Sequence, residues 1–372
     1  MKLRIVTFHR AYNYGAVLQC YALAETINSL GADCEVLDYW PDVFREVYYM
    51  KIKYTGVRST VRAILNKANI YPMLNKRNNN FGKFIKEKIP ITKLKYGSLS
   101  EIKCMSSDID AYLTGSDQVW HNKWAEFDPV YFLDFPDANT KKKYSYAASF
   151  GMNEVPSELR SEYKRRLEKF EKISVRENSG VKIVEDLINK KSECNCDPTL
   201  LLTKEYWRRL VKEYNDEPYI LVYYTSRSKL LQDSAEKLSK KTGYKVICLP
   251  CTMDTNVLSG KYDSSRGFEV AASAGPNEFL SLIANAKYVL TNTFHGTVFS
   301  IIFERKFMTQ MILSNQSKNM RVSELLEKLG IEGRELENGI ECIEENVDWT
   351  CVCDKIYTLR EDSLKYLKSI IN

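Results

Sequence analysis

Short β-rich runs alternate with helix-like runs twice along this chain, and Pro198 falls between the two series. The first series opens with a strand at 3–8, a helix at 16–30 and a strand at 34–39; the helix places Val17, Leu18, Tyr21, Leu23, Ala24 and Ile27 at apolar positions. A strand, a helix and a second strand in this order make a βαβ unit, which requires a parallel sheet covered by helices. Further strands are expected at 110–114, 131–135, 143–149 and 172–175, with a helix at 157–170. Pro198 then restricts its predecessor to extended geometry and closes the series. The second series reads strand 219–225, helix 228–240, strand 244–249, helix 277–285, strand 287–291, helix 296–303 and strand 307–313. A chain of 372 residues exceeds what one core usually serves, so two α/β domains are expected, at 1–203 and 204–345. Residues 346–372 hold a last helix at about 354–371, with Ile356, Leu359, Leu364, Leu367 and Ile371 near one stripe, expected to pack back on the first domain.

Charge is unevenly spread. Residues 45–107 hold 14 Lys and Arg against 3 Asp and Glu, whereas the whole chain has a net charge of only +6. That segment reads as a basic helical insertion in the first domain, with Arg58, Arg62, Lys67, Lys76, Arg77, Lys83, Lys86 and Lys88 interleaved with aromatic residues. A solvated surface and an anionic membrane surface both explain it; a nucleic acid does not, since no recognition motif accompanies the charge. No stretch of about 20 apolar residues marks a membrane span, and residues 1–4 lead straight into a strand, so a cytoplasmic protein is expected, peripheral to a membrane at most. The ten cysteines are scattered and are expected as reduced thiols. No histidine lies near the pairs Cys194/Cys196, Cys248/Cys251 or Cys351/Cys353, and no metal is expected.

Four polar turns interrupt the apolar pattern where strands end. The first, His9 to Ala16, contains Asn13, Tyr14 and Gly15; it could hold a sugar oxygen or an anion at a helix N-terminus, or merely cap the helix. Without a G-x-G-x-x-G pattern it disfavours a dinucleotide cofactor. The second, Gly115-Ser116-Asp117-Gln118-Val119-Trp120, suits a carbohydrate, with hydrogen bonds to hydroxyls and a ring against the sugar face; alternatively Trp120 is core. In the third, Arg176 ends a buried strand and needs an anionic partner, either an internal carboxylate such as Glu177 or a ligand. The fourth, Thr291-Asn292-Thr293-Phe294-His295-Gly296, places one of only three histidines where a strand becomes a helix, and Lys318 and Arg321 follow the next strand. Backbone N–H groups at such a junction favour an anion, and imidazole exchanges protons near neutral pH. In α/β sheets ligands bind at the carboxyl ends of strands, so the turns are expected to meet in a cleft between the domains.

Taken together, these turns resemble those of the polysaccharide pyruvyl transferase family. The resemblance rests on Asn13-Tyr14-Gly15, Gly115 to Trp120, Ser174-Val175-Arg176-Glu177, Asp197-Pro198-Thr199 and Asn292 to Phe299, and covers residues 3 to about 330 in consistent order. It implies two Rossmann-like domains in a GT-B-type arrangement with an inter-domain cleft. It also implies transfer of a pyruvyl group from phosphoenolpyruvate, as co-substrate and without a cofactor, to two hydroxyls of a sugar. The product would be a pyruvate ketal on a cell-surface polysaccharide or its lipid-linked precursor. By position Arg176, His295 and Lys318 resemble the family's donor-site residues, with Asn292 and Gly296 beside them. Some relatives carry an arginine where Thr293 stands here, and Arg321 is expected to compensate. His295 is the expected general acid, Asp117 the expected base or hydroxyl anchor, and Asn13, Tyr14, Gly15, Ser116, Gln118 and Trp120 the expected acceptor contacts. Two rivals remain: a GT-B glycosyltransferase using a nucleotide sugar, with Glu304 as the only nearby carboxylate for a ribose, and a non-catalytic carbohydrate-binding protein.

Overall fold

The computed structural model describes residues 1–48, 56–212, 217–252, 254–311 and 316–372; at 46–48, 57–69, 124–125, 255–256 and 316–318 it describes the backbone alone. The strands in chain order are β1 Lys2–Val6, β2 Asp33–Tyr39, β3 Ile91–Tyr96, β4 Ala111–Thr114, β5 Lys142–Ser145, β6 Ser174–Val175, β7 Glu193–Cys194, β8 Tyr219–Tyr224, β9 Lys245–Pro250, β10 Glu269–Val270, β11 Tyr288–Thr291 and β12 Lys306–Thr309. They form two five-stranded sheets of order β3-β2-β1-β4-β5 and β10-β9-β8-β11-β12, in which every pairing is parallel. In each sheet the chain steps outward from a central strand and then returns to that strand's other side. The reversals fall between β1 and β4 and between β8 and β11. Parallel strands covered on both faces should be apolar throughout, and β8, Tyr-Ile-Leu-Val-Tyr-Tyr, is buried at every position.

The chain divides into two compact units. The first takes Met1–Arg45, Ile85–Leu202 and Asp354–Asn372; the second takes Glu46–Phe84 and Thr203–Cys353. In the first unit the C-terminal helix Trp349–Ile371 is tied down by hydrogen bonds from the Tyr366 hydroxyl to the Ser145 carbonyl at 2.8 Å and from Arg360 Nε to the Leu200 carbonyl at 2.8 Å. β6 and β7 extend the first sheet beyond β5 through single bridges at Tyr144 with Lys172 and Ala148 with Val175.

Two expectations are corrected. Residues 131–135 are not a strand: Pro129–Phe132 forms a 3-10 turn, because the Asp128 carboxylate accepts the Val130 N–H at 2.9 Å and Leu133 closes the turn with φ 55°. The basic stretch at 45–107 is not one insertion in the first domain. Its end supplies β3, an edge strand, while residues 46–84 group with the second unit. The helix Val57–Lys88 explains that grouping, since Leu74 packs with Leu258 and Ala272 and the Asn80 side chain donates to the Ser273 carbonyl at 3.1 Å.

Candidate active site

In the first unit the reversal point lies between the turns after β1 and β4, two of the four turns singled out in the sequence. The Thr7 hydroxyl joins them by donating to the Ser116 carbonyl at 2.8 Å. Gly115 is required there, because a Cβ would lie 3.0 Å from Thr7 Cβ and 3.3 Å from Ile5 Cγ2. Asp117 adopts φ 79°, a left-handed conformation that costs a non-glycine residue about 1–3 kcal/mol. It is held by its surroundings: its carbonyl accepts the N–H groups of Val119 at 2.8 Å and Ser149 at 2.9 Å, and its carboxylate accepts the Gln118 N–H at 2.8 Å. Strain of this kind gathers at functional sites, where an over-determined backbone presents one side chain.

The other expected acceptor contacts fall differently. Asn13 caps the helix Tyr14–Ser29, accepting the Ala16 N–H at 3.3 Å, while Tyr14 and Gly15 are buried in its first turn. Ser116 is buried, and Gln118 lies against Gly151. Trp120 is core: it is fully buried, its indole N–H donates to the Tyr131 carbonyl at 3.2 Å, and Phe132 stacks 5.9 Å away. A ring so enclosed offers no face to a sugar.

The parallel bridges carry the same edge onward to Arg176. Its backbone N–H reaches the Ala148 carbonyl at 3.2 Å, beside the bridge between Asp117 and Ala148. The guanidinium is buried, with Nη1 2.8 Å from Asp197 Oδ2 and Nε 3.8 Å from Glu177 Oε2. Burial works against its charge, but Asp197, Glu177 and Asp117 more than offset this and raise its pKa. Asp197 is itself positioned by Thr199, whose N–H and hydroxyl reach Oδ1 at 3.0 and 2.7 Å. Glu177 accepts hydrogen bonds from the Ser149 hydroxyl and, at 3.3 Å, the Gly151 N–H. The partner that Arg176 requires is thus supplied within the fold. Glu177 is the internal carboxylate that the sequence offered, though at 3.8 Å it is the farther of the two; Asp197 and Ser149 were not singled out for this role, and the Asp-Pro-Thr turn was the available signal, since its Asp and Thr form a cap.

In the second unit the turn after β11 meets the turn after β8. The Asn292 side chain joins them, accepting the Thr225 N–H at 3.1 Å and donating to the Ser226 carbonyl at 2.8 Å. Thr293 is the N-cap of the nine-residue helix Phe294–Ile302, its hydroxyl accepting the Gly296 N–H at 2.8 Å. His295 therefore stands in the first turn, at the positive end of the helix, and is only 9% exposed. Two cation-capable groups touch the Phe294 ring: the His295 ring meets it edge-on at 5.2 Å, and the buried Arg321 guanidinium lies 5.9 Å from its centroid. Lys318 precedes Arg321 by one turn of the helix Gln316–Leu329, but its side chain lies outside the described residues. A polyanion placed here would meet a helix N-terminus, an imidazole and a guanidinium.

A family model for polysaccharide pyruvyl transferases matches residues 13–309 of the chain. The chain belongs to that family. No curated sequence matches it. Among solved structures it is similar to UDP-N-acetylglucosamine 2-epimerase from Rickettsia bellii, with 10% identity, a TM-score of 0.51 and coverage of 98% of this chain and 97% of that one. It is also similar to the Methanocaldococcus jannaschii UDP-GlcNAc 2-epimerase in complex with UDP-GlcNAc and UDP, at 13% identity, TM-score 0.51 and coverage of 97% and 100%. A third likeness is to AviGT4, a glycosyltransferase involved in avilamycin A biosynthesis, at 10% identity, TM-score 0.50 and coverage of 100% and 98%. These are GT-B-fold proteins, and likeness at such identities shows the fold alone.

Within this family assignment, Thr293 has a structural reason. It supplies the cap of the histidine-bearing helix, and an arginine there would give up that bond. Gly296 has one too: a Cβ would come within 2.3 Å of Thr291 Oγ1, 2.6 Å of Thr293 Oγ1 and 2.7 Å of Tyr223 Cδ1. Gly296→Ala should therefore cost about 1–3 kcal/mol by overpacking, read as a lower midpoint in urea denaturation; an unchanged midpoint would refute the close packing. Among the described residues no group of three His, Cys, Asp or Glu gathers as a metal would require, and none of the cysteines there is disulfide-bonded. None of their helices is long and apolar enough to cross a membrane.

Proposed function

We propose that this member of the family transfers a pyruvyl group from phosphoenolpyruvate to two hydroxyls of a sugar, closing a ketal on a polysaccharide or its lipid-linked precursor. The observation that carries the reading is His295 in the first turn of a capped helix, beside Phe294 and the buried Arg321, within the matched family region or just beyond it. Phosphoenolpyruvate bears a carboxylate and a phosphate, so it suits a site combining a helix N-terminus with cations. Protonation of its methylene carbon activates the adjacent carbon; one sugar hydroxyl attacks that carbon, phosphate leaves, and the second hydroxyl closes the ketal. Of the two hydroxyl protons given up, one balances the proton taken up by the methylene and the other leaves with the phosphate. In this proposal His295 is the proton donor, Lys318 and Arg321 neutralise the donor's charge, and Asp117 receives a hydroxyl proton or anchors the hydroxyl. Arg176, already paired with Asp197, contributes by fixing the edge that presents Asp117.

Glu304 speaks against a nucleotide-sugar donor. It follows the helix Phe294–Ile302 at its C-terminal end, away from the capped turn, and pairs with Lys204 at 2.5 Å. Thermal shift provides the comparison: a ligand at about 100 times its Kd stabilises by about 2.7 kcal/mol, and phosphoenolpyruvate should do so where UDP does not. Phosphate release across a panel of galactosides, mannosides and lipid-linked sugars, with mass spectrometry of the ketal adduct, tests the reaction. A shift with UDP alone, and no adduct, would replace the reading with glycosyl transfer.

A lipid-linked acceptor would bring the protein to an anionic membrane. Lys83 and Lys86 are exposed on the helix Val57–Lys88, while the side chains of Arg58 and Arg62 lie outside the described residues. Neutralising all four should weaken sedimentation with anionic vesicles, at about 1 kcal/mol per cation; equal sedimentation would count against membrane contact.

A further inference from the structure

On the other flank of β1, the carboxyl edge of the first sheet carries a second cluster that the reaction above does not use. Asp38, near the end of β2, stands in register with Lys95 on β3. Arg10, in the turn after β1, grips the Asp38 carboxylate with both arms, Nε to Oδ1 at 2.7 Å and Nη2 to Oδ2 at 2.6 Å. His9 is buried against the same carboxylate, with Nε2 3.3 Å from Oδ1 and Nδ1 3.2 Å from the Thr7 carbonyl oxygen. Burial alone would raise the Asp38 pKa, but His9 and Arg10 bring it down to about 2, so the carboxylate is fully engaged. Lys95 has no ion pair among the described residues. Its ammonium instead lies 3.9 Å from the centroid of the buried Trp40 ring, and the Arg10 guanidinium lies 5.5 Å from the same centroid. Tyr12 packs on that indole at 5.8 Å. Arg45 reaches over Gly97 nearby and is paired with Asp42. Lys95 feels burial first and then Arg10 and Arg45, all of which lower its pKa, while Asp38 only partly compensates.

We infer that Arg10, Lys95 and Trp40 form a binding site for an anionic group, phosphate-type or carboxylate, carried by the sugar acceptor. Like charges on a solvated surface spread apart; here one indole holds two of them at the edge where open α/β sheets bind their ligands. An anion seated between Arg10 and Lys95 would satisfy the excess charge. Assigning the anion to the acceptor rests on the transfer reaction proposed above; the anion site itself does not.

The test is isothermal titration of the full chain with inorganic pyrophosphate, D-glucuronate and neutral D-galactose, with and without saturating phosphoenolpyruvate. At least one anion should bind in the presence of phosphoenolpyruvate, and the exposed substitution Lys95→Met should weaken it about tenfold, the loss of one charge-assisted hydrogen bond. Lys95→Arg should restore it. Binding of pyrophosphate alone identifies a phosphate-type group on the acceptor, and binding of glucuronate identifies a carboxylate. The inference is overturned if neither anion binds, if Lys95→Met binds like the parent, or if phosphoenolpyruvate displaces the anion competitively. Phosphate release measured on the same samples separates the two ideas: a Lys95-dependent anion site without turnover would refute the transfer reaction and leave the site standing.

Discussion

Asp197→Ala should destabilise the protein by about 3–5 kcal/mol, because it removes the 2.8 Å counter-ion of a buried guanidinium. Arg176 is enclosed, and Asp197 contacts it at 2.8 Å, while Glu177 is a full ångström farther away at 3.8 Å. The substitution also removes the acceptor for the Thr199 N–H and hydroxyl, loosening the turn after β7. Replacing both residues, as Asp197→Ala with Arg176→Met, should recover part of the loss: the guanidinium is gone, and Glu177, which loses its cation, keeps the hydrogen bonds from Ser149 and Gly151. Urea denaturation of the three variants reads the effect. A single variant within about 1 kcal/mol of the parent would show that Arg176 draws its compensation elsewhere.

His295→Ala should lower phosphate release from phosphoenolpyruvate by about 10²- to 10⁴-fold with the correct acceptor, the usual contribution of a positioned proton donor. Stability should change little by comparison, since the helix keeps its Thr293 cap. A folded variant that turns over at the parental rate would remove His295 from the chemistry.

The two βα series were legible because strands buried on both faces read as continuous apolar runs, and the polar turns stood out against them. What the pattern could not show was pairing. Arg176 was seen to need an anion, but Asp197 reaches it through the parallel pairing of β6 with β7, which no periodicity records. Trp120 in a polar turn has the composition of a sugar site; only its enclosure by Phe132, Phe150 and Phe170 makes it core. The strand Ile91–Tyr96 was hidden in a basic segment because it is an edge, where exposed Lys93 and Lys95 replace apolar residues. At 131–135 a β-rich run lost to the Asp128-Pro129 cap, a local bond outweighing propensity.

Because the first unit recruits Asp354–Asn372, it is completed only by a segment synthesised after the residues of the second unit. Tyr366 and Arg360 can reach Ser145 and Leu200 only after the whole of the second unit has been made. Residues 46–84 meet the mirror situation, waiting on the chain from 203 onward for the partners of Leu74 and Asn80. A fragment ending near residue 203 would therefore lack its closing helix and carry an uncovered one. Nascent chains of this protein should keep apolar surface open until the helix Trp349–Ile371 has emerged, the period in which chaperones engage them.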